Sequence, residues 1–504
     1  MFEHLVKYKY NGFSNIHISL TGSNRKAMNK KKKMEFGDFQ TPMELCDIIT
    51  KNTKNNFNYY NYYIEPTCGL GNFLLSLNQN GVHEKKLLGW EFNVNYVETA
   101  NSKFKINDVV KKQDFFKIDF QKLKEEIIGP VFFIGNPPWI TNSALSKLKS
   151  KNTPNKLKIE NLKGIEAITG KSNFDISEYM LRKIIDFIDN TNSSLAFLIK
   201  TSVARKLFSF IATQEKKIKS ISIKKIDANK YFGVSVDACL FEASGTLKKV
   251  NDYTCKIYDD LKSSNYKTLS FKNKKLIADI FKYNELISID SGCEYNWRSG
   301  IKHDCSKVME LNFDGERFTN GYDEYVDIEP DYLYPMYKSS NIAKKELKDP
   351  TKYMIVPQSR VGENTDIIKE KAPLTWKYLN TYGLEFSRRK SAIYKNKPEF
   401  SIFGVGEYTF KPWKVAISGL YKNFKFSLIG PYNGKSVVFD DTCYFIGFDS
   451  KDAATASHEL LSSTLCSEFL STVVFKDNKR PITVNLLNRI NLASLERHIN
   501  KRAT

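Results

Sequence analysis

The fold predicted for this chain is decided at residues 130–139, Pro-Val-Phe-Phe-Ile-Gly-Asn-Pro-Pro-Trp. The apolar part has the length of one buried strand, and the Asn-Pro-Pro-Trp corner follows it directly. Proline fixes φ at about −65° and has no N–H, so two consecutive prolines make a rigid turn at the strand end. A purely structural turn would use similar residues, since Asn-Pro is common turn chemistry.

The same corner suits one kind of chemistry, the activation of a planar amino group. The lone pair of an amino group on a nucleobase is delocalised into the ring, which makes the nitrogen a weak nucleophile. The Asn136 side-chain oxygen and the Pro137 carbonyl could each accept one N–H bond and free this lone pair for methyl transfer. Pro138 completes the corner, and Trp139 offers a flat face on which a base can stack. We therefore predict that these four residues are catalytic.

The first half of the chain has the pattern of a parallel sheet covered by helices. Apolar segments alternate with amphipathic ones from about residue 59 to residue 240. A helix is predicted at Ser177–Ile188, and ligands of such sheets bind beyond the carboxyl ends of the strands. The predicted strands are Tyr62–Ile64, Leu87–Glu91, Val109–Val110, Val131–Ile134, Ser194–Lys200 and Val234–Phe241.

Residues at the predicted strand ends indicate a nucleoside cofactor. Gly69 and Gly71 let the backbone turn tightly beside a ligand, and the third glycine of a dinucleotide fingerprint is absent, which argues against NAD. Glu91 follows Gly71 by 20 residues (91 − 71), the distance at which an acid commonly holds ribose hydroxyls. Asp114 could accept a hydrogen bond from an adenine amino group, with Phe115 packing on the ring.

The composition is that of a globular protein with a basic charge. Hydrophobic residues make up 41% of the chain, and Lys+Arg 77 against Asp+Glu 56 gives a net charge of +21. This excess indicates a polyanionic partner, although a lysine-rich proteome would produce the same balance. The apolar runs are too short to span a membrane, and the N-terminus lacks the apolar run of a secretory signal.

The cysteines indicate a reducing compartment and no metal centre. The eight cysteines form no CxxC pair, so we expect free thiols in a cytoplasmic protein. Cys293, His303 and Cys305 are the one metal-like group, and they lack paired spacing and a fourth ligand. The expected metal content is therefore none.

Taken together, these motifs resemble the γ-type amino-methyltransferases of DNA, the S-adenosylmethionine-dependent adenine-N6 enzymes of type II restriction-modification systems. Phe36–Pro42 resembles the opening motif of that family, in which the backbone and the threonine, here Thr41, meet the methionine end of the cofactor. Glu65–Phe73 resembles the D-P-x-C-G-x-G-x-F motif, with Glu65 in place of the usual aspartate. The resemblance implies that S-adenosylmethionine is the cofactor. It implies that the cofactor-binding residues are Thr41, Glu65, Thr67, Gly69, Gly71, Glu91, Asp114, Phe115 and Asn136.

Two further segments carry the resemblance. Asn173–Tyr179 resembles the helix start that lines the cofactor adenine pocket. Phe232 matches the aromatic residue that stacks on the flipped base opposite the ring of Trp139, although without the family context it could equally be a core residue before a strand.

The resemblance also implies the domain organisation. The Asn-Pro-Pro-Trp corner follows Gly71 by 65 residues (136 − 71), which leaves no room for a recognition domain between them. We therefore expect an α/β, Rossmann-like class I methyltransferase domain at residues 1–265. A C-terminal mixed α+β target-recognition domain is expected at residues 266–504, where Ile328–Pro335 and Phe400–Leu420 are predicted to form strands and loops. Arg298, Arg388 and Arg389 could supply phosphate and base-edge contacts there.

The implied function is site-specific methylation of N6 of an adenine flipped out of double-stranded DNA. It would protect host DNA from a cognate restriction endonuclease without requiring a stable complex with it, and we expect a monomer. Four alternatives stay open. They are N4-cytosine methylation, protein-glutamine methylation, the methyltransferase part of a combined restriction-modification enzyme, and a catalytically inactive scaffold.

The residues weigh against three of these alternatives. The positive charge and the C-terminal region of about 240 residues disfavour a glutamine methyltransferase. About 35 residues precede the opening motif, too few for a nuclease domain. Intact Asn136 and Glu91 disfavour an inactive scaffold.

Overall fold

The structure is a computed structural model that describes residues 39–53, 57–140, 175–344, 346–476 and 478–503. The chain divides into two compact units between Lys267 and Thr268, two residues beyond the boundary expected from the sequence (267 − 265). Within the described residues, no helix combines the length and hydropathy that a membrane span requires.

The first unit alternates strands with helices. Its strands are β1 (Tyr62–Glu65), β2 (Leu87–Glu91), β3 (Val110–Lys112), β4 (Val131–Gly135), β5 (Ser194–Lys200), β6 (Ile218–Ile226), β7 (Ala238–Gly245) and β8 (Thr254–Tyr258). Its described helices are α1 (Met43–Thr53), α2 (Asn72–Gln79), α3 (Val94–Asn101), α4 (Phe120–Glu126), α5 (Ile176–Ile188), α6 (Thr201–Thr213) and α7 (Ala228–Phe232).

These eight strands lie side by side in the order β8-β6-β7-β5-β4-β1-β2-β3. Strands β3, β2, β1, β4 and β5 are parallel, and β7 runs antiparallel to both β5 and β6. All five residues of β4 are buried, as expected for a central parallel strand covered on both faces. The predicted α/β class is confirmed, and β2 and β5 have the predicted bounds.

Helix α5 shows how the covering helices form. Asp175 caps its first turn by accepting a hydrogen bond from the main-chain N–H of Ser177 at 3.1 Å. Apolar residues recur three and four positions apart, so they share one face of the helix. The buried apolar residues on that face are Met180, Leu181, Ile184, Ile185, Phe187 and Ile188.

One predicted strand was wrong in its position. Val234–Phe241 was expected to be a strand, but β7 begins at Ala238 and ends at Gly245. Residues 233–237 instead close the end of α7. Gly233 takes a left-handed φ of 67°, and its N–H bonds the Asn229 carbonyl at 2.9 Å.

Strand β6 was missed. Its alternating pattern is broken by a bulge between Lys219 and Ser222, where Ser220 takes a φ of 53°. Because a bulge shifts the inward-facing positions by one residue, Ile218 and Ile221 no longer fit a period of two.

The second unit mixes strands and helices. Its strands are β9 (Tyr266–Lys272), within which the division falls, β10 (Lys275–Ile277), β11 (Arg298–Ser299), β12 (Glu310–Phe313), β13 (Phe318–Thr319), β14 (Tyr325–Val326), β15 (Leu333–Tyr337), β16 (Lys352–Ile355), β17 (Trp413–Ser418), β18 (Phe426–Ile429), β19 (Val438–Phe439) and β20 (Cys443–Phe448). The described helices are α8 (Ile280–Glu285), α9 (Ser306–Met309), α10 (Ser339–Ile342), α11 (Ile367–Lys371), α12 (Pro373–Thr381), α13 (Gly383–Ser387), α14 (Lys451–Ser462), α15 (Thr464–Val473), α16 (Val484–Leu487) and α17 (Leu492–Ala503).

Two sheets organise this unit. One has the order β11-β20-β17-β18, and the other has the order β14-β13-β12-β16-β15-β19. The first sheet shares an apolar core with the C-terminal helices, and the second has a core of its own. The predicted mixture of strands and loops at Ile328–Pro335 and Phe400–Leu420 is confirmed by β15 and β17, which lie partly or wholly within these segments.

Candidate active site

Four of the predicted site residues follow four neighbouring strands. Glu65 ends β1, Glu91 ends β2, Asp114 comes two residues after β3, and Asn136 comes directly after β4. These strands are parallel and adjacent in the order β3-β2-β1-β4, so their carboxyl ends share one edge of the sheet. Since neighbouring strands lie about 4.8 Å apart, this edge forms a row of three acids and one amide.

The carboxamide of Asn136 has a fixed orientation. Its Nδ2 donates to the Phe39 carbonyl at 3.0 Å, while its Oδ1 is buried and has no hydrogen-bond partner. A carboxamide whose amino group is bound to a carbonyl must present its oxygen in the other direction. A buried acceptor without a partner costs about 1–3 kcal/mol. The site therefore holds an acceptor ready for a donor that the chain itself does not supply.

Three aromatic rings meet at the corner. The rings of Trp139 and Phe232 lie edge to face with centroids 5.2 Å apart, and Phe39 lies 6.1 Å from each of them. A base stacked between two parallel faces needs about 7–8 Å between them. The structure thus brings Trp139 and Phe232 together, with the two rings too close to each other to admit a base between them. Phe39 is a third member of this group, and it was not singled out from the sequence.

The end of β1 carries two more oxygens without partners. Glu65 is 3% exposed, and neither its Oε2 nor the buried Oγ1 of Thr67 has a hydrogen-bond partner. Burial holds the pKa of the Glu65 carboxyl well above its usual range, and the nearby Glu91 carboxylate raises it further. The Leu74 N–H and the Lys103 ammonium offset part of this effect. Such acceptors suit a ligand that brings N–H donors and positive charge.

Glu91 organises the turn beside it. One carboxylate oxygen accepts from the Gly69 N–H at 2.9 Å, and the other accepts from the Asn93 N–H at 2.8 Å. The two oxygens of the carboxylate are thus each oriented by a main-chain donor. The position of Glu91 is thereby fixed at the strand end.

Asp114 and Phe115 occupy different surroundings. The Asp114 side chain accepts from the Phe116 N–H at 3.0 Å and caps a short 3-10 helix. The ring of Phe115 is buried, with centroid distances of 5.9 Å to Phe116 and 5.2 Å to Phe120. Phe115 therefore belongs to an aromatic cluster beside the strand end.

Steric contacts explain why positions 69 and 71 of the predicted turn are both glycine. Gly69 has a φ of 51°, and a Cβ there would lie 2.5 Å from the Gln40 carboxamide, whose Oε1 accepts from the Leu70 N–H at 3.0 Å. Gly71 has a φ of 72°, and its Cβ would meet the Ala100 Cβ at 3.2 Å. The turn is thus closed by Gln40 on one side and by helix α3 on the other.

The opening motif is attached to the same turn. The Thr41 carbonyl accepts from Asn72 Nδ2 at 2.8 Å, and Lys103 Nζ donates to Asn72 Oδ1 at 3.1 Å and to the Leu70 carbonyl at 2.6 Å. The roles of Gln40 and Asn72 in holding this turn were open to prediction, since both residues lie inside the motifs Phe36–Pro42 and Glu65–Phe73. Lys103 carries no signal in a lysine-rich sequence.

Parts of two predicted motifs lie outside the described residues. These are Phe36, Gly37 and Asp38 of the opening motif, and Asn173 and Phe174 of the predicted adenine-pocket segment. Among the residues that are described, no three His, Cys, Asp or Glu side chains come close enough together to hold a metal ion.

Comparison with known proteins gives two informative similarities, and no family model matches the chain. The chain is 42% identical over 475 residues to the type II methyltransferase M.NspV of Nostoc sp. (strain ATCC 29411 / PCC 7524), an alignment that covers 93% of this chain and 99% of that protein. The fold of the present chain resembles that of the type IIL restriction-modification enzyme MmeI, which was solved in complex with DNA. The TM-score is 0.54 at 15% identity, over 92% of this chain and 67% of the other.

The fold similarity covers most of this chain, and the sequence similarity extends across both of its units. On the strength of that identity over nearly its whole length, the chain belongs to the family of type II methyltransferases.

Proposed function

We propose that this protein transfers a methyl group from S-adenosylmethionine to N6 of an adenine flipped out of double-stranded DNA, as the modification enzyme of a type II restriction-modification system. The observation that carries the proposal is the buried, partnerless Oδ1 of Asn136, held by the bond from Nδ2 to the Phe39 carbonyl. It is an acceptor preorganised for an amino N–H, and it needs no rearrangement when that group arrives.

The corner would act by holding the amino group. Asn136 Oδ1 and the Pro137 carbonyl would each accept a hydrogen bond from one of its two N–H groups, so that the nitrogen lone pair is directed away from the ring system. Bound S-adenosylmethionine supplies the methyl group as an electrophile. Because the methylated amino group is cationic and therefore acidic, no strong base is needed from the protein.

The aromatic group would become the base pocket by opening. Trp139 is fixed, since its indole Nε1 donates to the Leu198 carbonyl at 3.1 Å. Phe232 is only partly buried, and it is the last residue of the five-residue helix α7. We therefore assign Trp139 as the stationary face and Phe232, together with Phe39, as the rings that move aside when the base enters.

The row of strand ends would hold the cofactor. The Glu91 carboxylate suits ribose hydroxyls, and Asp114 suits the adenine amino group. Glu65 Oε2 and Thr67 Oγ1 are partnerless acceptors, so they suit the ammonium of the methionine end. Thr41 is attached to the residue that follows the glycine turn, because its carbonyl accepts a hydrogen bond from Asn72 Nδ2.

The second unit would read the target site. The chain as a whole carries a net charge of +21, which favours a polyanionic partner, and the similar enzyme MmeI was solved with DNA. Arg298 and Arg388 are exposed and suit phosphate or base contacts. Arg389 is used internally, because it donates to the Ser401 carbonyl at 2.6 Å and stacks 3.8 Å from the ring centroid of Tyr394.

The second candidate is N4-cytosine methylation, since the Asn136 acceptor fits any exocyclic amine. Unmethylated DNA should be incubated with the protein and S-adenosylmethionine, digested to nucleosides and analysed by mass. We expect N6-methyldeoxyadenosine. N4-methyldeoxycytidine would overturn the choice of base, and the absence of any methylated nucleoside would overturn the proposed activity.

A further inference from the structure

Strand β5 holds Trp139 at two points. The indole Nε1 donates to the Leu198 carbonyl at 3.1 Å, and the Trp139 carbonyl accepts from Lys200 Nζ at 3.0 Å. Strand β4 pairs with β5 only as far as Gly135, opposite Phe197, so the last three residues of β5 extend beyond β4 on that side. The indole of Trp139 therefore donates to β5 at the position where a longer β4 would have continued the pairing.

Lys200 is in turn held by Asp175. The distance from Lys200 Nζ to Asp175 Oδ2 is 2.8 Å, and the two side chains are 22% and 5% exposed. The other oxygen of Asp175 is fixed by the Ser177 N–H and hydroxyl at the start of α5. An ordered lysine side chain loses conformational entropy, and this ion pair offsets part of that cost. The ammonium is thus fixed against the Trp139 carbonyl.

The Asn136–Trp139 corner needs a hydrogen-bond donor from another part of the chain, because two of its four residues have no main-chain N–H. Pro137 and Pro138 have no N–H, so neither can attach the corner to the sheet by a main-chain donor. The Trp139 carbonyl belongs to the peptide group between Trp139 and Ile140, and Lys200 Nζ holds it at 3.0 Å. Holding this peptide plane fixes the direction in which the chain leaves the corner.

We propose that Lys200 is a positioning residue for methyl transfer. Its ammonium, fixed by Asp175, holds the main chain of Trp139 and with it the Asn136–Trp139 corner against β5. The inference rests on the proposed function, since it assigns the corner to the reaction. Lys200 acts through Trp139 and does not touch the substrate. A misplacement of about 1 Å at a reacting centre can lower a rate about 10²-fold.

The test compares Lys200→Met with the matched variant Lys206→Met. Lys206 pairs with Glu178 of α5 at 3.1 Å, and Glu178 keeps Arg182 at 2.7 Å when Lys206 is removed. Both variants therefore remove one ammonium that reaches α5, and only Lys200 contacts the corner. We expect Lys200→Met to lower kcat by about 10- to 100-fold with KM for DNA and cofactor affinity within twofold of wild type. Lys206→Met should stay within twofold in all three quantities.

A second readout does not depend on methylation. In protein labelled with 5-fluorotryptophan, the fluorine resonance of Trp139 is assigned by its loss in Trp139→Phe. It should shift or broaden in Lys200→Met and stay in place in Lys206→Met. If Lys200→Met does not fold, Asp175→Asn keeps an acceptor for the helix cap but removes the charge that fixes Lys200, and it should move the same resonance.

The two readouts separate the inference from the proposed function. An unmoved Trp139 resonance, or a kcat within twofold of wild type, would overturn the positioning role. A moved resonance in a protein that methylates no DNA, even as wild type, would retain the anchor but overturn the function on which the inference rests, and the positioning role with it.

Discussion

Asn136, Glu65 and Thr67 share one property that structural residues rarely have, a buried side-chain oxygen without a hydrogen-bond partner. Each such oxygen destabilises the folded protein by about 1–3 kcal/mol, more if it is charged. Three of them at one sheet edge indicate a site whose partners arrive with the ligands. The residue types were predictable from the motifs, whereas the missing partners were visible only once the fold had buried them.

The variant Glu65→Gln tests, at one of these three residues, whether the buried oxygen awaits a ligand. Because the pKa of folded Glu65 is raised, the folded protein keeps a proton that the unfolded chain loses as pH rises past about 4.5. Wild-type stability therefore falls with rising pH at this site. We expect Glu65→Gln to have a higher Tm without cofactor at pH 8, an advantage that shrinks towards pH 5, together with weaker cofactor binding. A Tm difference independent of pH would contradict the assignment, and calorimetry with S-adenosylhomocysteine measures the binding.

Phe232→Ala tests the base pocket. Stacking of a base on an aromatic ring contributes about 1–3 kcal/mol, so we expect methyl transfer to slow by about 5- to 150-fold, with cofactor affinity unchanged. The check is single-turnover methylation, alongside the fluorescence of 2-aminopurine placed at the target position. An unchanged rate with unchanged fluorescence would make Phe232 an ordinary core residue.

At the scale of elements, the strand ends are what the sequence predicted best. Strands β2 and β4 are continuous apolar runs in buried parallel positions, and each has a predicted site residue at or just after its end. Strand β6 was missed because its bulge disrupts the alternation. The contacts of Lys103 and Lys200 were not predictable, because a long flexible side chain reaches partners that no local pattern specifies.

Strand β17 contains a buried lysine, Lys414, which makes the stability of the protein depend on pH. Lys414 is 1% exposed, its Nζ donates to the Lys411 carbonyl at 2.6 Å, and burial lowers its pKa to about 7. Between pH 7 and pH 10.5 the unfolded chain binds a proton that the folded protein lacks, so stability rises with pH across this range. Below pH 7 the penalty for burying the charge is fully present.

Lys414→Met should therefore stabilise the protein by several kcal/mol at pH 6, and this gain should narrow as pH approaches 10. Urea unfolding at pH 6, 8 and 9.5 measures it, with the exposed Lys422→Met as the control that removes a charge without a buried site. A gain that is the same at all three pH values would contradict a buried amine as its cause.

At the scale of the whole molecule, the two units have different architectures, one with a mainly parallel sheet and the other with two smaller sheets. The strand–helix alternation of the sequence stops near residue 265, close to the division between Lys267 and Thr268. The detailed order of the second unit's strands was not predictable, since short strands such as β11, β13, β14 and β19 carry two residues each.

If the second unit reads the target, exchanging residues 268–504 for the matching region of a related methyltransferase should transfer site preference. We expect the chimera to methylate the donor enzyme's site, as measured by mapping modified bases on genomic DNA. Its DNA affinity should fall steeply with salt, because several phosphates are neutralised on binding. A folded, active chimera that keeps the original site would place recognition in the first unit.

Asn136→Ala tests whether Asn136 Oδ1 accepts a hydrogen bond from the amino group of the target base, through two quantities measured on the same protein. Removing the acceptor should lower the single-turnover rate of adenine methylation by about 10²- to 10³-fold, because the lost bond acts on the reacting nitrogen. Cofactor affinity, measured by calorimetry on the same preparation, should stay within about threefold, since the row of strand-end acids is intact. A methylation rate within tenfold of wild type would contradict the account.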